Sequence, residues 1–240
     1  MISHYVRSKK MGLFGTALDA LKWGFGINFK NNVRWILLTI LSILPFVWWI
    51  AEGALLKVLK GEEPDIAPPG DSFINGLLWF IIAVTYELIP LVLFMVIGGA
   101  AFLPAITGGD IGAAIGAGVG IIGFILCFVV AILFALIMVP AMINFARTGQ
   151  FSKAFAFSEL FAMIKEIGWG KYILAIIVLI IVQIILGIVI FVLLGTVNFI
   201  LLFIPVVGPI AAMVLSAIVA LLLIIPEFCF IFKYWNDLFA

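Results

Sequence analysis

Apolar runs long enough to cross a membrane alternate with short polar segments along most of the chain. Roughly 20 apolar residues are needed to span the hydrocarbon core as a helix. Four runs reach this length, at residues 73–97, 111–139, 173–194 and 210–232. A further run, from Val33 to Leu59, is interrupted by Pro45. The pattern predicts an all-α fold, a polytopic membrane helical bundle with about five spans, some of them broken by proline or re-entrant.

The longest polar interruption in the second half of the chain runs from Asn144 to Lys171. After a polar turn at Arg147 to Gly149, apolar residues recur at helical spacing on one face, and polar residues fall on the other. The residues assigned to this interfacial helix and its ends are Phe155, Phe157, Phe161, Ile164 and Trp169. The pattern predicts an amphipathic helix that lies in the membrane interface.

Two other stretches show a similar aromatic pattern. Phe14, Leu18, Leu21 and Phe25 predict an apolar face on a short interfacial helix near the N-terminus. The second stretch is residues 73–80. A basic residue and a glycine precede it along the chain, and the same order of basic residue, glycine and aromatic stretch occurs in the 144–171 segment. This faint repeat predicts interfacial helices on one face of the membrane. We divide the chain into a basic arm with its interfacial helix (1–32) and one integral membrane domain (33–240), whose connecting polar segments are 60–72 and 144–171.

The 13 basic residues test the topology of the interrupted run. If it crosses the membrane, neither orientation of the chain concentrates Lys and Arg on one side, as the positive-inside bias requires. If it enters and returns at Pro45, every basic residue lies on the cytoplasmic side. The charge count favours this hairpin, whereas Trp48 and Trp49 fit the interfacial belt of a true span, so both alternatives stay open.

Composition narrows the class of protein. The chain is 66% hydrophobic and 10% charged, far from the composition of soluble domains. A net charge of +1 argues against nucleic acid as a partner. Both cysteines lie in apolar runs, the single His4 lies in the N-terminal arm, and no nucleophile with a base or set of metal ligands is visible. We therefore expect no metal, no cofactor and no enzymatic activity.

Glu87 is the most distinctive polar residue within an apolar run. A carboxylate in a span costs a few kcal/mol and usually faces a partner or a cavity. Pro90 removes the amide that would bond the carbonyl of Tyr86. Tyr86 and Glu87 are therefore candidates for an ion or proton site, and the alternative is a structural role in which Glu87 hydrogen-bonds to that carbonyl.

Glycines recur every fourth residue at the start of the third run. They are Gly108, Gly112, Gly116 and Gly120. Such a ridge lets a neighbouring helix approach closely. The neighbour can belong to the same chain or to a second subunit, and the sequence does not distinguish the two.

Several short motifs together resemble a known family. They are Gly61-Glu62-Glu63-Pro64, Asn75-Gly76-Leu77, Tyr86 with Pro90, Phe145-Ala146-Arg147-Thr148-Gly149, Ala154-Phe155 with Phe157 and Glu159, and Lys171-Tyr172. Over residues 13–235 the chain resembles a family of archaeal and bacterial multi-pass proteins known only as a domain of unknown function. The resemblance implies a prokaryotic membrane, archaeal rather than bacterial, and brings no activity with it.

Two classes of function remain. The first is a non-enzymatic membrane protein that acts as a scaffold or organises lipid, with membrane lipids, self-association or a membrane complex as its partners. The second is a small transporter or channel that uses Glu87 and the proline-broken helices. Few polar groups are available inside the spans, which favours the first class. We expect a multi-pass protein of the cell membrane whose polar segments are mostly cytoplasmic.

Overall fold

The computed structural model describes residues 12–66, 68–204 and 207–240, and within them the chain is helical and contains no strand. The α-helices are α1 (Leu13–Lys30), α2 (Asn32–Ile43), α3 (Trp48–Leu56), α4 (Pro69–Thr107), α5 (Gly109–Thr148), α6 (Phe157–Ile167), α7 (Trp169–Leu201) and α8 (Val207–Leu238). Two 3-10 helices lie at Lys57–Lys60 and Phe151–Phe155. The predictions for His4 and for most of the basic arm lie outside the described residues.

Four helices are long and apolar enough to cross a membrane, namely α4, α5, α7 and α8. They confirm the four uninterrupted runs, and each exceeds the roughly 20 residues that the hydrocarbon core requires. The polytopic all-α class is therefore correct, with four long spans and a set of shorter helices.

The interrupted run from Val33 to Leu59 does not form a fifth long helix. It forms α2 and α3, which contact each other across a reversal at residues 44–47. The break follows from Pro45, which cannot continue a helix, and from Phe46, whose φ of 64° lies in the left-handed region. At about 1.5 Å per residue, α2 and α3 are each shorter than 20 Å and too short to span. Of the two alternatives, the structure forms the hairpin.

The described residues form two compact units, one from residues up to Gly76 together with Ala162 onwards, the other from Leu77 to Phe161. In the first unit α1 packs along α8. A Cβ on Gly24 would lie 2.6 Å from the backbone nitrogen of Phe230, so only glycine permits this approach. The hairpin also meets the start of α4 closely, because a Cβ on Gly76 would overlap the carbonyl oxygen of Trp49. Small residues therefore hold this unit together by backbone contact.

The face that α1 packs against the rest of the chain is its small-residue face, not its aromatic one. The buried residues are Thr16, Ala17, Ala20, Gly24, Ile27 and Asn28, whereas Phe14 and Leu18 are exposed. The predicted helix is present, and its position at the membrane interface stays a prediction. Close approach to α8 selects the small-residue face, and the aromatic face stays outward.

In the second unit, α5 packs on the 3-10 helix Phe151–Phe155, which folds back beside it. The helix α5 ends with Gly149 in the left-handed conformation (φ 68°), whose amide donates to the carbonyl of Phe145. This cap reverses the chain at the predicted polar turn. The reversal places the interfacial segment next to the end of the span that precedes it.

Candidate functional site

Tyr86 joins the interior of α4 to the interfacial segment. Its side chain is 2% exposed, and its hydroxyl donates a 2.7 Å hydrogen bond to the carbonyl oxygen of Ala154. The ring of Tyr86 stacks on Phe155 with centroids 5.7 Å apart and meets Phe134 edge-on at 5.9 Å. These contacts give the tyrosine a positioning role, since its one hydroxyl proton is already donated.

Glu87 points away from these contacts and is exposed on the surface of α4. It borders a hollow of about 40 Å³ lined by Tyr86, Glu87 and Pro90 of α4 and by Ala131, Phe134, Ala135 and Met138 of α5. The hollow has room for at least one water-sized group. The two residues of the predicted ion or proton site thus border one hollow, but Tyr86 holds the interfacial segment while Glu87 faces outward.

The position of Glu87 along α4 explains how an exposed carboxylate is tolerated. It lies 20 residues before the end of the helix at Thr107. That distance is about 30 Å of helix, the thickness of the hydrocarbon core. We predict that the turn after Thr107 lies at one surface of the membrane, which would put Glu87 near the other surface rather than at the centre.

The second hairpin of long helices repeats this spacing. Glu227 lies 20 residues after the start of α8 at Val207, and Gln183 lies 18 residues before the end of α7 at Leu201. The amide nitrogen of Gln183 donates to Glu227 at 3.1 Å. Along α4 and α8 the first carboxylate is therefore met about 30 Å of helix from the turn, whereas on α5 Asp110 lies beside the turn itself.

The interfacial segment is fixed by a small polar network. Lys153 forms an ion pair with Glu159, and the Asn144 side chain donates to the carbonyl of Lys153 at 2.9 Å and to Glu159 at 3.2 Å. Hydrogen bonds from Lys153 and then from Asn144 hold the pKa of Glu159 below its ordinary value. The network ties the end of α5 to the start of α6.

The predicted amphipathic helix is present as α6. Leu160 and Ile164 are fully buried, whereas Phe157 and Phe161 are each 43% exposed on the flank of the buried face. Trp169 is exposed at the start of α7, after a break at Gly168, whose φ is 94°. Polar residues occupy the opposite side, so α6 combines a packed stripe, an outward aromatic flank and a polar face.

The end of the glycine ridge at Gly120 faces α4 of the same chain. Gly112 and Gly116 are buried, a Cβ on Gly120 would lie 3.7 Å from Cβ of Ala101, and Gly108 is exposed in the turn. One turn further, a Cβ on Gly123 would overlap the side chain of Ile97 on α4. Of the two neighbours considered, this part of the ridge contacts the same chain.

Glu52 is a polar residue that the sequence argument missed. It lies in α3, which is too short to span, and burial raises its pKa to about 7. The signal was available as a lone acid inside the apolar stretch Trp48–Leu56. Its surroundings depend on the hairpin fold, which the spacing of apolar residues does not encode.

Other polar groups of the first unit serve the fold. Pro226 has no amide to bond the carbonyl of Leu222, and the indole nitrogen of Trp35 donates to that carbonyl at 2.9 Å. Arg34 pairs with Glu63 at 2.8 Å. Cys127 and Cys229 are buried and free, and the described residues contain no group of three potential metal-binding side chains.

The comparisons with known proteins concern residues 36–195, which match the family described as "Protein of unknown function (DUF4013)". No curated protein and no solved structure matches the chain. The matched region contains Tyr86, Glu87, the glycine ridge and the interfacial segment, and it confirms the resemblance to a family known only as a domain of unknown function. Because the match covers well over half of the chain, the protein belongs to this family of proteins of unknown function, DUF4013.

Proposed function

We propose that the protein is a non-enzymatic membrane protein that organises lipid around two apolar helical hairpins and an aromatic interfacial layer. The observation that carries the proposal is the distribution of charge along the long helices. From Leu88 to Thr107, and from Ile111 to Ala146, no residue is charged. The same holds for residues 172–201 and 207–226. Surfaces of this kind match lipid chains and offer a polar solute no place to bind.

The side chains on these limbs support the same proposal. Large apolar residues are outward on both hairpins, including Phe94, Phe124, Ile184 and Phe191. The hydrogen bond between Asn198 and Ser216, at 2.8 Å, joins two helices of one unit rather than lining a passage. A transport site normally needs several polar groups that converge near the midplane. The partners that fit the outward surface are therefore membrane lipids.

The interfacial segment supplies the second part of the proposal. Phe157 and Phe161 present aromatic rings at the flank of α6, where the polar face begins. Aromatic rings are favoured at the headgroup level of a bilayer. We propose that these rings order the lipids next to the hairpins, and that the basic segments lie on the cytoplasmic side of the cell membrane.

Two measurements on the purified protein test this proposal. Native mass spectrometry of protein released from vesicles counts the retained lipids, and a pH-sensitive dye inside the same vesicles reports proton flux. We expect retained lipid and a flux no greater than that of protein-free vesicles. The double variant Phe157→Glu with Phe161→Glu should lower lipid retention by about tenfold, since moving each apolar ring away from lipid costs on the order of 1 kcal/mol.

A matched control places one new charge on the polar face of the same helix. Ser158 is exposed there, so Ser158→Glu should leave lipid retention within about twofold of the wild type. Equal losses in both variants would contradict a specific role of the aromatic flank. A proton flux that Glu87→Gln abolishes would instead establish the transporter and overturn the proposal.

A further inference from the structure

With the turn after Thr107 at one membrane surface, the expected depth of the hollow beside Glu87 is that of the lipid headgroups at the other surface. Glu87 is 20 residues, or about 30 Å of helix, from the turn that follows Thr107. The neighbouring side chains Leu88 and Ile89 are 47% and 46% exposed and apolar. The protein surface around the hollow therefore faces lipid chains on one side and the membrane interface on the other. A ligand reaches the hollow from that surface.

The chemistry of the hollow is that of a hydrogen-bond acceptor site. The Glu87 carboxylate offers two oxygens, and the carbonyl of Tyr86 lacks its usual helical donor because residue 90 is proline. The Tyr86 hydroxyl is directed to Ala154 instead. None of the ion pairs among the described residues involves Glu87, whereas Glu63, Glu159 and Asp237 each have a basic partner. A positively charged donor fits this arrangement.

The hollow has room for a small donor. A volume of about 40 Å³ admits groups of the size of water or ammonium. Pro90, Phe134 and Met138 supply apolar walls that suit the carbon next to an ammonium group. A small cationic group attached to a molecule that lies in the membrane fits the expected depth, the charge and the size of the hollow.

We propose that the hollow between α4 and α5 binds the primary ammonium headgroup of a membrane lipid, with Glu87 as the charged acceptor. The inference rests on the proposed function and specifies the class of lipid that is retained. A lipid is favoured over a basic side chain of another protein because the carboxylate lies at headgroup level amid exposed apolar side chains. Headgroup selectivity then depends on one carboxylate.

The experiment compares headgroups at constant acyl chains. The protein is extracted from vesicles that contain equal amounts of phosphatidylethanolamine, phosphatidylcholine and phosphatidylglycerol, and the retained lipids are identified by native mass spectrometry. Wild-type protein should retain the ethanolamine lipid about two- to fivefold over the choline lipid, as expected for a partly exposed ion pair whose donor hydrogens are lost on methylation. Glu87→Gln should remove this preference while total retained lipid stays the same.

Glu166→Gln is the matched control, because Glu166 is an exposed acid on α6 outside the hollow. It should keep the preference, and unchanged thermal midpoints show that both variants are folded. This inference is overturned if the wild type retains lipid without a headgroup preference, or if the preference survives Glu87→Gln. Either result leaves the proposed function intact. Loss of a co-purifying protein or a lower oligomer number in Glu87→Gln assigns the hollow to a protein partner and also overturns it. If the wild type retains no lipid at all, the proposed function itself fails.

Discussion

At the scale of single residues, the side chains of Tyr and Trp donate hydrogen bonds to backbone carbonyls of neighbouring helices and turns. Tyr86 donates to Ala154, Tyr234 donates to Ala175 at 2.9 Å, and Trp35 donates to Leu222. Only the last could be anticipated in part, because Pro226 marks the carbonyl that lacks a donor. The identity of each donor depends on which helices meet. These side chains fix the register of one segment against another.

Replacing Tyr86 by phenylalanine tests the best defined of these bonds. The change leaves the buried carbonyl of Ala154 without its partner, which costs about 1–3 kcal/mol. We expect Tyr86→Phe to lower the thermal midpoint of the purified protein and to increase proteolysis within residues 149–156. Thr85→Val is a suitable control, since the Thr85 hydroxyl bonds only to Ile81 within its own helix. If both variants have the same thermal midpoint as the wild type, the hydrogen bond to Ala154 contributes nothing to stability.

At the scale of helices, close backbone approach decides which faces pack. The helix α1 meets α8 through Gly24, and α3 meets the start of α4 through Gly53 and Gly76. Between helices in lipid, such contacts stabilise by dispersion rather than by removing apolar surface from water. This explains why the largest apolar residues of α1 are outward. It also explains why α5 approaches α4 at Gly120 and Gly123.

Two glycines of α1 provide a direct comparison. At Gly24 an added methyl group would collide with the backbone of Phe230, whereas at Gly26 nothing lies within 4 Å. Gly24→Ala should destabilise the protein by about 1–3 kcal/mol through overpacking. Gly26→Ala should be neutral or stabilise by up to about 1 kcal/mol, because alanine is the better helix former. Thermal unfolding in detergent measures both, and a stabilised Gly24→Ala would show that α1 does not dock on α8.

At the scale of the whole molecule, the hairpin of α2 and α3 changes the number of crossings. With four long spans and a segment that returns, Lys30, Lys60 and Lys153 are all separated by an even number of crossings. We therefore predict that these three basic residues lie on one side of the membrane, in accord with the positive-inside bias. The turns after Thr107 and Leu201, which contain no Lys or Arg, are then expected on the other side.

Cysteine labelling in intact cells measures this topology. Lys30→Cys, Lys60→Cys and Lys153→Cys should be equally protected from an impermeant thiol reagent, whereas Gly108→Cys should react. Cys127 and Cys229 are buried, so their background is expected to be low. Opposite labelling at Lys30 and Lys60 would mean that Val33 to Leu59 crosses the membrane after all.

Spacing and chemistry along the chain were sufficient for much of the architecture. The four long spans, the break at Pro45, the polar turn at Gly149 and the amphipathic helix α6 each follow from local rules, namely span length, missing amides and helical periodicity. The candidate pair Tyr86 and Glu87 was also visible, because an acid and a proline interrupt an apolar run. These features depend on neighbours within a few turns.

Tertiary structure decided what those residues contact. It turned Tyr86 toward Ala154 and left Glu87 outward, buried the small-residue face of α1, and left Glu52 half-buried in α3. It also placed Gly120, at the end of the glycine ridge, near Ala101 of α4. The physical reason is that most surfaces of these helices are equally apolar, so hydrophobicity does not distinguish a lipid-facing side from a packed one. The side that packs is determined by the shapes of the helix surfaces and by the carbonyl groups left without donors. Both act only once the helices have met.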